Sequence, residues 1–234
     1  MTTLGPLVRN NMVLSWRRGV IAASASVVGL YIVVLNLIPT WVAVGTLPYL
    51  VFSDPAALGF FFVGGIVLAD RAEGTVAAVW VTPVRPWQML AARVGSLATV
   101  AVVSAVLIAT GSRLPVRWDV FLAAVVPTAF LFTFLGYAVA MRSRSVNDYF
   151  ARATAVSIPL FAPIGVLVVA PTSPWLGVWP STASLALLRS SVPDQGTPTP
   201  PSIIVPVATL VLTCVIAGWW AHFELKHARR EGRG

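Results

Sequence analysis

Apolar residues in this chain are gathered into six long runs, at residues 19–38, 49–69, 94–110, 120–141, 153–170 and 203–223. A helix of about 20 apolar residues, rising 1.5 Å per residue, spans the roughly 30 Å of hydrocarbon in a bilayer. Inside lipid the backbone must satisfy its own hydrogen bonds, so runs of this length predict helices. The expected fold class is therefore all-α integral membrane, with six transmembrane helices. Prolines punctuate the pattern. Pro39 closes the first run, Pro48 leads into the second, and Pro127 predicts a kink in the fourth. Pro159 and Pro163 are expected to bend the fifth. Asp54 and Pro55 fall near the outer end of the second run, and no other charged residue falls within a span.

Two of the breaks between the runs carry structure of their own. The segment 70–93, DRAEGTVAAVWVTPVRPWQMLAAR, is the largest charged island before the C-terminal tail. Its glycine permits a reversal of direction at Gly74, Thr75 can cap a short helix over 76–81, and Thr82 with Pro83 offers a second cap followed by proline. Pro86 fits better as a start of the second helix than as a residue inside it. The segment 171–202 is too rich in proline to cross the membrane, but Pro180, Ser181 and Thr182 can open a short helix ending near Arg189. Residues 1–18 read either as an interfacial elbow helix or as a basic flank of the first span. A signal peptide fits poorly, since the apolar run that follows outlasts a signal core of about 7–15 residues. One domain, 19–223, is expected between that segment and a basic tail, 224–234.

Charge orients the bundle. The chain is 57% hydrophobic and 10% charged, with a net charge of +8 and a mean hydropathy of +0.84. Such a balance could suggest nucleic acid, but the basic residues sit in the gaps between runs, as membrane flanks do. With the N-terminus inside, Arg9, Arg17, Arg18, Arg71, Arg85, Arg93, Arg142, Arg144, Arg152, Lys226, Arg229, Arg230 and Arg233 are cytoplasmic, thirteen of the sixteen Lys and Arg. Arg113, Arg117 and Arg189 make up the remaining three. The asymmetry predicts both termini in the cytoplasm. The Ala/Val-rich composition, with arginine far in excess of lysine, points to a bacterial gene and hence to the plasma membrane. The single Cys214 rules out a disulfide framework within one chain.

The island resembles a motif of one family, the membrane permease subunits of type-2 ABC exporters. There an acid, a base and E-G-T precede a hydrophobic segment, a V-T-P turn and a helix ending in a basic residue. Here the match reads Asp70-Arg71, Glu73-Gly74-Thr75, Val81-Thr82-Pro83, Arg85 and Arg93, with Ala72 where many members carry a second acid. The E-G-T…V-T-P form is similar to a branch that includes fluoroquinolone exporters. The resemblance implies an interfacial coupling helix between spans two and three, gripped by a separate ATP-binding subunit through these nine residues: Asp70, Arg71, Glu73, Gly74, Thr75, Thr82, Pro83, Arg85 and Arg93. The alternative for Arg71, Arg85 and Arg93 is anchoring to lipid headgroups. Asn147 and Asp148, in the other long cytoplasmic turn, are either a weaker partner contact or simple helix caps. In this family, short re-entrant helices dip into the outer leaflet between spans five and six, where PTSPWLGVWP lies here; the alternative is a surface loop. A second permease subunit, identical or related, is also implied.

Chemistry of other kinds is missing from the sequence. The only lysine, Lys226, is in the tail, so no phosphate-binding P-loop exists. His222 and His227 have no third ligand beside them, and no Ser-His-Asp set or HExxH is visible. No enzyme activity, and no cofactor or metal in this chain, is expected; ATP and magnesium belong to the partner. An apolar, aromatic path suits a lipophilic or amphiphilic cargo. Rival readings are a non-transporting scaffold or assembly protein and an uncoupled scramblase or channel.

Overall fold

The computed structural model describes residues 20–73, 86–169, 177–193 and 200–230, and every regular element among them is helical. In chain order these are α1 (Val20–Leu37), α2 (Thr40–Ala57), a π-helical turn (Leu58–Phe62), α3 (Val63–Ala72), α4 (Pro86–Gly111), α5 (Trp118–Arg142), α6 (Val146–Val169), α7 (Pro180–Ser190) and α8 (Pro200–Arg230). Four helices are long and apolar enough to cross a membrane: Thr40–Arg71, Trp87–Gly111, Trp118–Arg142 and Ile203–Ala228. Ile21–Leu37 is a shorter apolar helix. The interfacial segment 1–18 and the expected helix over 76–81 lie outside the described residues.

The surface is apolar and the interior holds hydroxyls, the reverse of a water-soluble protein. Trp41 is 80% and Trp219 70% exposed, whereas Ser104, Thr128, Thr133, Ser181, Thr182 and Ser184 are buried. The hydroxyls survive burial by bonding backward along their own helices, as Thr128 and Thr133 do to the carbonyls of Ala124 and Ala129. The hub is α5, which packs on α8, α4, α7, α2, the π turn and α3.

One boundary differs from the sequence expectation. The second span begins at Thr40, nine residues before its expected start at Tyr49. The amides of Val42 and Ala43 donate to the Pro39 carbonyl, so Pro39 opens the helix, and Pro48 sits inside it. A proline within a membrane helix is tolerated where neighbours and hydroxyls re-satisfy the freed groups. The earlier start moves Asp54 from the outer edge to the middle of the 32-residue helix Thr40–Arg71. There its side chain is 2% exposed, so the expectation of spans free of interior charge fails.

The segment between α6 and α8 holds the expected short helix. Helix α7 opens at Pro180 as expected, with proline in its first turn, and ends at Ser190. Seven of its residues, from Ser181 to Leu188, are buried against α5, α8, α2 and α6. Ser184 shares a 2.7 Å hydrogen bond with Thr128 of α5, and Trp179 and Ser181 both donate to the Leu160 carbonyl of α6. Leu160 lies between Pro159 and Pro163, the two prolines of that helix.

The bundle has two unlike ends. At one, Asn36 at the end of α1 donates to the Gly111 carbonyl at the end of α4, and Arg117 at the start of α5 donates through its amide to Ser191 after α7. At the other, the charged residues of α3, α4, α5, α6 and α8 meet. The expected island begins here.

Candidate coupling site

Asp70 and Arg71, adjacent on the last turn of α3, point to different partners. Asp70 is 1% exposed and pairs with the guanidinium of Arg93, near the base of α4. A buried carboxylate is tolerable only beside a cation, and the 11% exposure of Arg93 makes this a largely desolvated pair. Arg71 instead reaches the C-terminus of α5, donating to the carbonyls of Met141 (2.8 Å), Ser143 (2.8 Å) and Ala140 (3.3 Å). The last carbonyls of a helix have no intrahelical donors, and their dipoles sum to a partial negative charge. The planar arginine fork reaches three carbonyls at this end at once, of which that of Ala140 also accepts from the Ser143 amide. Both arginines are therefore turned toward protein partners. Tyr137 is buried within electrostatic reach of all three charged residues.

Glu73 closes α3 as an exposed residue, its amide bonded to the Ala69 carbonyl at 2.9 Å. Beyond it Gly74, Thr75, Thr82, Pro83 and Arg85 lie outside the described residues. Pro86, the expected helix start, is the first residue of α4. The sequence motif thus emerges from a base that ties α3 to α4 through one ion pair and to α5 through a helix cap.

The second turn, between α5 and α6, is built as a cap. Ser145 accepts from the amide of Asp148, and the Asp148 carboxylate accepts from the Arg144 amide at 2.9 Å and from Arg152 Nε at 2.7 Å. This is the reciprocal arrangement of a helix capping box, shifted by one residue. The backbone donor from Arg144, and then Arg152, hold the Asp148 carboxyl below its ordinary range. Asn147 is exposed beside it. A polar pocket of about 690 Å³ opens here, lined by Arg142, Arg144, Asp148, Arg152, Glu224 and His227. Arg142 and Glu224 bring α5 and α8 together across it, at 3.7 Å.

One connection was not read from the sequence. Tyr149, fully buried on the first turn of α6, donates to the carbonyl of Phe60 within the π turn. A π turn displaces carbonyls from the regular ladder, and a hydroxyl here takes one of them. The ring lies against Gly64, where a Cβ would sit 2.0 Å from Tyr149 Cζ. Gly136 of α5 also approaches the same turn closely, with a Cβ there 2.6 Å from the Gly59 carbonyl oxygen and 2.7 Å from that of Phe60. Small residues let membrane helices approach backbone to backbone. The only hint in the sequence was glycine inside apolar runs, a signal too general to specify a partner.

This is a helical membrane protein whose charged end gathers into one interlocked base. The family model for fluoroquinolones export permease proteins matches residues 2–228, and the chain belongs to that family. Two relatives from Mycobacterium tuberculosis, strains CDC 1551 / Oshkosh and ATCC 25618 / H37Rv, are each named a fluoroquinolones export permease protein. Each is 29% identical over 182 residues, covering 77% of this chain and 74% of the relative.

Proposed function

We propose that this chain is the transmembrane permease subunit of an ATP-driven bacterial exporter, with ATP hydrolysed by a separate subunit. It carries a lipophilic or amphiphilic compound out of the cell, as the names of the relatives state for fluoroquinolones. In this reading α1, the helix Thr40–Arg71, α4, α5, α6 and α8 make six spans with both termini in the cytoplasm. The thirteen-to-three bias of basic residues supports that orientation. Helix α7 is re-entrant from the outer side, a reading supported by its burial within the bundle. A second permease copy or relative completes the path.

The observation that carries the reading is the double hold at the end of α3. A push on Glu73 and the segment after it reaches α4 through Asp70 and Arg93, and α5 through Arg71. Coupling needs such a rigid connection between the gripped surface and the helices that move. Glu73, Gly74, Thr75, Thr82, Pro83 and Arg85 form the gripped surface, while Asp70, Arg71 and Arg93 transmit. Asp148 serves the second turn as a cap, with Asn147 the residue there left to meet a partner.

The test is purification with native lipids and export in cells. A nucleotide-binding subunit should co-purify in fixed stoichiometry. Glu73→Ala and deletion of Gly74 and Thr75 should abolish export while membrane insertion stays normal. Undiminished export in both variants, or no ATPase partner, argues for a scaffold or an uncoupled pore.

A further inference from the structure

Asp54 stands in the middle of the helix Thr40–Arg71, 14 residues (about 21 Å) after Thr40 and 17 residues (about 25 Å) before Arg71. Its side chain is 2% exposed, and Oδ2 is buried without a hydrogen-bond partner. Among the described residues no arginine, lysine or histidine pairs with it; the acids Asp70 and Asp148 have their partners at the charged end. Leaving a carboxylate unpaired in hydrocarbon-like surroundings costs several kcal/mol, so an ionisable group at mid-membrane depth marks a binding or transport site.

The backbone around Asp54 is also irregular. Pro55 follows directly and has no N–H to give to the Val51 carbonyl. Four residues after Asp54 the helix loosens into the π turn. Two residues before it, Phe52 makes edge contacts with Phe132 of α5 and Phe161 of α6, at ring-centroid distances of 5.7 and 6.0 Å. Phe132 and Phe161 stack on each other. A buried carboxylate oxygen without a donor calls for a positively charged guest, which supplies the opposite charge.

We infer that Asp54 is the recognition group for cargo, and that the cargo class is a lipophilic or amphiphilic organic cation. This rests on the export reading and narrows it from lipophile in general to a molecule bearing positive charge. The energetic logic is mutual. The cation sheds water only because a carboxylate awaits it, and the carboxylate gains the partner the protein does not provide.

The test is equilibrium binding of two fluorescent probes to the purified full-length permease in nanodiscs. One is ethidium, a cation; the other is N-phenyl-1-naphthylamine, which is neutral. Wild type should bind ethidium saturably, and tetraphenylphosphonium should displace it. Asp54→Asn should weaken ethidium binding at least tenfold and leave the neutral probe within about twofold, while Asp54→Glu should retain most ethidium affinity. Ethidium affinity unchanged in Asp54→Asn overturns the inference. Should Asp54→Asn fail to fold, wild type decides alone: saturable ethidium displaced by tetraphenylphosphonium supports the inference, and ethidium that no cation displaces overturns it. Binding of the neutral probe without ethidium overturns the cation assignment and leaves the export reading standing. Binding of neither overturns both.

Discussion

The ring of Tyr149 fills the space where Gly64 has no side chain, and its hydroxyl holds the carbonyl of Phe60 one turn earlier. A residue of α6 thereby clamps the only π turn among the described residues, which lies between Asp54 and Asp70 on one continuous helix. The two parts of the protein given functional roles above are joined through this contact.

Gly64→Ala places a methyl group 2.0 Å from Tyr149 Cζ and must expel the ring. Overpacking of this kind costs about 1–3 kcal/mol. We expect a lowered thermal midpoint for the purified permease, partly restored by adding Tyr149→Ala. Tyr149→Phe keeps the ring but strands the Phe60 carbonyl, at a cost of about 1–2 kcal/mol. Equal stability of Gly64→Ala and wild type in a thermal melt would contradict the close approach.

Arg71→Lys keeps the charge and loses the fork that serves three carbonyls at the end of α5. We expect it to destabilise by about 1–3 kcal/mol, close to the loss in Arg71→Met. Hydrogen exchange should quicken at the last turn of α5 in both. A lysine variant indistinguishable from wild type would mean that charge alone suffices.

Asp70→Asn and Arg93→Met each remove one member of a buried ion pair. Single breaks of buried pairs cost about 3–5 kcal/mol, whereas removing both partners is often far less harmful. The double variant should therefore be more stable than either single one in denaturant titration. Strict additivity of the two losses would show that the pair is not coupled.

Asp148 has a pKa held below its ordinary value of 3.8, by the Arg144 amide first and Arg152 second. A depressed carboxyl pKa adds stability that is complete above the unfolded value and is lost as pH falls through the folded one. The gap between wild type and Asp148→Asn should be constant from pH 7 to about 5 and close below about pH 4. Thermal melts across that range measure it, and a gap that persists unchanged to pH 3 refutes the cap's role.

Much of the helical frame was legible because apolar length is a strong signal. Within the described residues each of the six apolar runs is helical over nearly all its length, and Pro86 and Pro180 begin helices where proline chemistry placed them. Pro48 misled for the same reason: a proline that marks a boundary in water is accommodated within a membrane helix, so Thr40 and not Tyr49 begins the second span. That error alone misplaced Asp54. Arg71 read as a surface charge because its partners lie about seventy residues onward, and no local pattern encodes them. The sequence left Asp148 open as a cap or a partner contact; its bond with Ser145, three residues before it, is that of a cap. The π turn has no sequence signature, so neither it nor its hold by Tyr149 could be anticipated.

The π turn at Leu58–Phe62 carries more residues per revolution than the helix on either side. Rewinding these same residues as ordinary helix, with none removed, would swing everything beyond by about 100°. Asp70 would then face away from Arg93, and Arg71 away from the end of α5. The angular phase of the charged end is thus set by a single surplus residue, some ten positions upstream.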